Sequence, residues 1–186
     1  MKRKSLFILL LTWIPILTFG QELSFNQLVG FLQKAKNNNH SISNVINSDL
    51  KDNSPIWKID DLETGLIMQD TKLETYVYIW KYTINNEELY RLGVSKEPIN
   101  SVFPISIFYW FPSQEVYNTI KNKAIEFGAE LKGRRIQDDG TITYLYATED
   151  YVLILNELPP DVSYLTINGQ KKIGYSAIIG YGPLRK

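Results

Sequence analysis

The chain has no cysteine and one histidine, His40, in 186 residues. Without thiols it can form no disulfide, cysteine nucleophile, iron–sulfur cluster or cysteine-ligated zinc site. One histidine cannot supply the two or three needed for a histidine-bound zinc. A serine–histidine–aspartate triad would have to use His40, which sits in "NNNHS", a turn-forming stretch. It reads as an exposed loop residue. No G-x-S-x-G, glycine-rich phosphate loop or calcium-loop pattern is present. The expectation is therefore no metal, no cofactor and no assignable catalytic residue.

Charge excess is also missing. The chain has 20 basic and 20 acidic residues. Three of the basic ones lie in the first four positions, so residues 21–186 carry a net charge of −3. A nucleic-acid partner is not expected, because such binding needs a basic stripe to displace counterions.

No apolar run is long enough to span a bilayer comfortably. The longest, Leu6 to Phe19, covers 14 residues, or ~21 Å as a helix, against a hydrocarbon core of ~30 Å. Lys2, Arg3 and Lys4 precede it, and the small residues Thr18 and Gly20 follow. That order is a secretory signal over residues 1–20, cleaved before Gln21. Export to the periplasm or the cell exterior is expected. Membrane contact would come only through this segment, if uncleaved. An exported domain without disulfides must be held by its core alone.

Aromatic residues are plentiful, with 21 remaining after residue 20. Ser24 and Gln27 fit a capping box, and Phe25, Leu28, Val29 and Leu32 follow at helical spacing. A second short helix is suggested by Ile42, Val45 and Ile46. From Glu74 the period becomes two. "ETYVYIWKYTI", "EELYRLGVS" and "SVFPISIFYWF" read as three strands, with Asn85-Asn86 as a turn and Pro104 marking the third as an edge or bulge.

The pattern then restarts. Ser113 opens a helix with Val116, Ile120, Ala124 and Phe127 as its apolar stripe and Gly128 as its stop. "ELKGRRIQ", "TITYLYAT" and "YVLILNEL" follow as strands, turning at Asp139-Gly140 and Glu149-Asp150. "SYLTINGQKKIGYSAIIGYG" reads as a last hairpin around Asn168-Gly169. Short turns impose antiparallel pairing. The expected fold class is α+β, with helices on one face of antiparallel sheet and two helix-then-strands halves, 21–112 and 113–186, packed as one unit.

Two features could carry function. Carboxylates occur at Asp60-Asp61, Glu74, Glu87-Glu88, Asp138-Asp139 and Glu149-Asp150. A suitably spaced pair could hydrolyse a glycoside, but most sit at turns, where Asp is a structural residue. Tyr76, Tyr78, Trp80 and Tyr82 share one strand face by the two-residue period. They form core if that face meets the helices. If it meets solvent they form a binding platform for a protein, small molecule or saccharide. Arg134 and Arg135 read as charges guarding an edge strand. Together these features lead to an expectation of a small, exported, non-enzymatic binding protein of the cell envelope. The alternatives are a carboxylate-based, glycosidase-like hydrolase and a secreted inhibitor or immunity-type protein.

Overall fold

The computed structural model describes residues 22–37, 46, 48–50, 58–59, 76–84, 87–96, 105–163 and 165–182. The expected signal segment, His40, Asp60-Asp61, Glu74, the Asn85-Asn86 turn and Pro104 lie outside the described residues.

Helix α1 (Phe25–Asn37) begins at the expected capping box. The Ser24 N–H donates to Gln27 Oε1 at 2.9 Å, and the Gln27 N–H donates back to Ser24 Oγ at 3.3 Å. Its buried stripe is Phe25, Leu28, Phe31, Leu32 and Ala35. Lys34 and Lys36 occupy the last turn, where cations meet the negative end of the helix dipole. Backbone at 46 and 48–50 is also helical and buries Ile46 and Leu50.

Helix α2 (Gln114–Glu126) is capped by Ser113, whose Oγ accepts the Val116 N–H at 3.2 Å. Gly128 ends it at φ +84°, a left-handed conformation that costs glycine least. The α2 stripe differs from expectation at its last position. Val116, Tyr117, Ile120 and Ala124 are buried, whereas Phe127 is 57% exposed. The helix stops at Glu126, and Phe127 has left helical geometry at φ −81°, ψ 11°. The helical period therefore no longer sets where its ring goes.

The strands are β1 (Lys58–Ile59), β2 (Tyr76–Ile84), β3 (Glu87–Lys96), β4 (Ile105–Phe111), β5 (Glu130–Ile136), β6 (Ile142–Ala147), β7 (Tyr151–Leu158), β8 (Thr166–Ile167), β9 (Gln170–Lys171) and β10 (Gly174–Tyr181). Eight form one antiparallel sheet in the order β1-β2-β3-β4-β10-β7-β6-β5. The fold is α+β, with an antiparallel sheet, as expected. Each half lays its strands from a sheet edge inward, and the halves meet where β4 pairs with β10, Phe111 opposite Tyr175 through Ser106 opposite Gly180.

Two strand expectations are corrected. β4 is a central strand, not an edge. Its ladder starts at Ile105, one residue after Pro104, so no ladder hydrogen bond is lost to the proline. The last apolar run does not fold back on residues 163–167. Asn168 and Gly169, both at positive φ, close only the two-residue hairpin β8–β9. β10 instead inserts between β4 and β7. Its residues from Gly174 to Ala177 are buried on both faces, which a solvent-facing hairpin could not provide.

One sheet face carries both helices. Ile107, Tyr109 and Phe111 of β4, Leu153 and Leu155 of β7 and Ala177 and Ile179 of β10 pack there against α1 and α2. Phe25 meets Tyr151 at 5.8 Å between ring centroids, and Tyr117 meets Tyr175 at 5.3 Å. The 159–173 segment returns across the other face. A Cβ added at Gly174 would collide with the hydroxyl of fully buried Ser163, whose Cβ lies only 3.3 Å away. Gly174→Ala should therefore cost ~1–3 kcal/mol, the range for overpacking. Adding Ser163→Gly should recover part of that, less the loss of the Leu165 N–H bond to Ser163 Oγ. Urea denaturation of the single and double variants checks both statements.

Candidate functional site at the margin of helix α2 and strand β5

The β2–β3 register locates the aromatic row. Tyr76, Tyr78, Trp80 and Tyr82 stand opposite Lys96, Val94, Leu92 and Tyr90. Leu92 and Val94 are fully buried, and Leu92 pairs in turn with Tyr109. The β2 backbone thus runs alongside the buried stretch of β3.

The sheet face away from the helices presents Phe108 and Trp110, stacked at 5.8 Å, with the Arg91 guanidinium 5.9 Å from the Trp110 ring. Beside them a polar chain crosses four strands' worth of sheet. Gln137 Nε2 donates to Thr143 Oγ1 at 2.9 Å, Thr143 to Asn156 Oδ1 at 2.7 Å, and Asn156 Nδ2 to Ser176 Oγ at 2.9 Å. These groups satisfy one another, as buried polar groups must.

An open concave feature lies elsewhere. An open cleft of about 590 Å³ is lined by Phe127 and Gly128 after α2, Glu130 and Lys132 of β5, and Ala147, Thr148, Glu149 and Asp150 at the β6–β7 turn. Local chemistry shapes each wall. Gly128 turns the chain from helix to strand. Thr148 Oγ1 accepts the N–H groups of Asp150 and Tyr151, both at 3.1 Å, and so holds the β6–β7 turn. Glu130 is ion-paired with Lys132, and this bond holds the Glu130 carboxyl below its ordinary range.

That ion pair does not suit Glu130 to the role of a general acid. A glycosidase needs one carboxyl raised enough to stay protonated near neutrality. Glu130 is shifted the other way. The carboxyl that is raised, Glu22, sits before α1. Partial burial lifts it, the Tyr90 hydroxyl donating at 3.3 Å draws it back, and nearby Glu115 lifts it again. Asp139 is held low because its carboxylate accepts the Thr141 N–H at 2.8 Å, a turn role of the expected kind. Among the described residues, no three His, Asp or Glu side chains converge as a metal site. No described helix is long and apolar enough to cross a membrane.

No protein-family model matches the chain, and neither the curated proteins nor the solved structures contain a significant match.

The surface around the cleft carries the strongest signal. Ile125, Phe127, Leu131 and Ile136 are exposed by 49%, 57%, 55% and 59%, and they fall within twelve consecutive residues. Large exposed apolar groups gathered in one place mark contact surfaces. Sequence periodicity missed this patch because it assigned Phe127 to the core. The available signal was β5 itself. "ELKGRRI" has only two large apolar residues for a seven-residue strand, too few to bury.

Proposed function

We propose that this chain is an exported, non-enzymatic binding protein of the cell envelope, and that it contacts a partner protein through the α2–β5 margin. The observation that carries this reading is the exposed group Ile125, Phe127, Leu131 and Ile136 beside an open cleft. The order of basic, apolar and small residues over 1–20 supports export.

The test is cross-linking capture from envelope extracts, comparing the parent with a Phe127→Ser/Leu131→Ser variant. Both side chains are more than half exposed. The folding cost should stay within ~1–2 kcal/mol, including the Phe127 contact with Phe25 at 5.7 Å between ring centroids. A specific partner should be captured by the parent and lost by the folded variant. Equal capture by both would sink the proposed surface.

A further inference from the structure

β5 closes one edge of the eight-stranded sheet, with β6 on its inner side and, among the described residues, no strand on its outer side. The opposite edge strand, β1, has two residues, whereas β5 has seven. An edge of that length presents a row of backbone donors and acceptors able to pair with another chain. All seven β5 residues are exposed except half-buried Gly133.

Side chains then define what could pair there. A bulge between Leu131 and Gly133 interrupts the ladder, leaving Gly133–Ile136 as the regular run, paired with Leu145–Ile142. Leu131 and Ile136, opposite Tyr146 and Ile142, lie on the helix-bearing side, as Phe127 does at the α2 terminus. Apolar side chains on an added strand would cover them.

The charges are unequal. Lys132 is taken by Glu130. Arg134 Nε donates to the Tyr144 hydroxyl at 3.3 Å, and its guanidinium lies 5.6 Å from that ring, with no carboxylate bound. Arg135 makes no ion pair among the described residues. The nearest acids in sequence, Asp138 and Asp139, lie in the turn beyond β5, and Asp139 is engaged by Thr141.

We infer that β5 is an acceptor edge for an extended, acidic segment of a partner protein, added as a ninth antiparallel or parallel strand. This deepens the binding function proposed above and rests on it. A second copy of the chain fits less well. Antiparallel self-pairing centred on Arg134 or on Arg135 would set that arginine against its own copy, and like charges directly opposite destabilise a sheet. Arg135, on the face opposite Leu131 and Ile136, attracts a glutamate placed across from it while apolar side chains cover the other face.

Two blocked seven-residue peptides test this, one alternating valine and glutamate, the other valine and lysine. Calorimetry with the purified chain should show the glutamate peptide binding at least tenfold more tightly. A proline at its centre should abolish binding, because strand addition uses backbone hydrogen bonds. In R134E/R135E, two exposed positions, the preference should reverse, with circular dichroism showing the fold intact. Equal binding of both peptides, a preference unmoved by R134E/R135E, or no peptide binding would overturn the inference. So would sedimentation showing a dimer that R134E/R135E alters, which would give the edge to a second copy. If peptides fail but envelope capture still depends on Phe127 and Leu131, strand addition alone falls and the contact surface stands.

Discussion

Replacing Tyr109 with alanine should lower the free energy of unfolding by ~3–5 kcal/mol, the range for removing a large buried aromatic. Tyr109 is fully buried at the centre of the helix-bearing face. Its ring lies 4.8 Å from Phe111 and stacks on Tyr90 at 6.3 Å. Its hydroxyl accepts the Leu23 N–H at 3.1 Å, tying the chain just before α1 to the central strand β4. Tyr109→Phe keeps the ring and removes only that acceptor, so it should cost ~1–3 kcal/mol, the price of leaving a buried donor unmet. Urea denaturation separates the two. A Tyr109→Ala variant within ~1 kcal/mol of the parent would mean that the helix–sheet interface is not centred on this residue.

Trp80→Ala should be the other severe substitution, at ~3–5 kcal/mol. Its position is flanked by Ile59 of β1 and Leu92 of β3, and Leu92 is completely buried. The substitution therefore tests the core reading of the row against the platform reading. A loss of this size would threaten a domain whose total stability is ~5–15 kcal/mol. Thermal unfolding decides the matter. A variant that melts like the parent would place the β2 row at the surface and make Tyr76, Tyr78, Trp80 and Tyr82 a second binding face.

Much of the fold could be read in advance because its signals are local. Ser24 with Gln27, Ser113 and Gly128 mark helix ends through hydrogen bonds spanning three or four residues. Asp139-Gly140 and Glu149-Asp150 turn strands that are adjacent in sequence. Antiparallel pairing follows from those turns. What escaped was everything set by distant pairing. Asn168-Gly169 is a strong hairpin signal, yet it closes only two residues per strand, because β10 gains more by filling the gap between β4 and β7. Pro104 suggested an edge because sequence shows where a proline is, and not which residue begins the ladder.

The candidate site was less legible for a related reason. Phe127 keeps the helical spacing of Val116, Ile120 and Ala124, but the helix ends one residue before it. Exposure at Leu131 and Ile136 depends on β5 having no outer neighbour among the described residues, a property of the finished sheet. Arg134 and Arg135 were correctly assigned to an edge strand. That neither has a carboxylate partner among the described residues requires the coordinates.

The seam between β4 and β10 also orders events in time. Its partners, from Phe111 with Tyr175 to Ser106 with Gly180, are 64 to 74 residues apart. Closing such long loops is slow compared with forming the hairpins on either side. Each half can assemble its outer strands early, but β4 and β7 must each wait, with one ladder unmade, until residues 174–181 are available. A chain threaded through a membrane N-terminus first would therefore complete its sheet only once residues 174–181 emerge. Until then it would expose two inner edges that are the most aggregation-prone parts of the molecule.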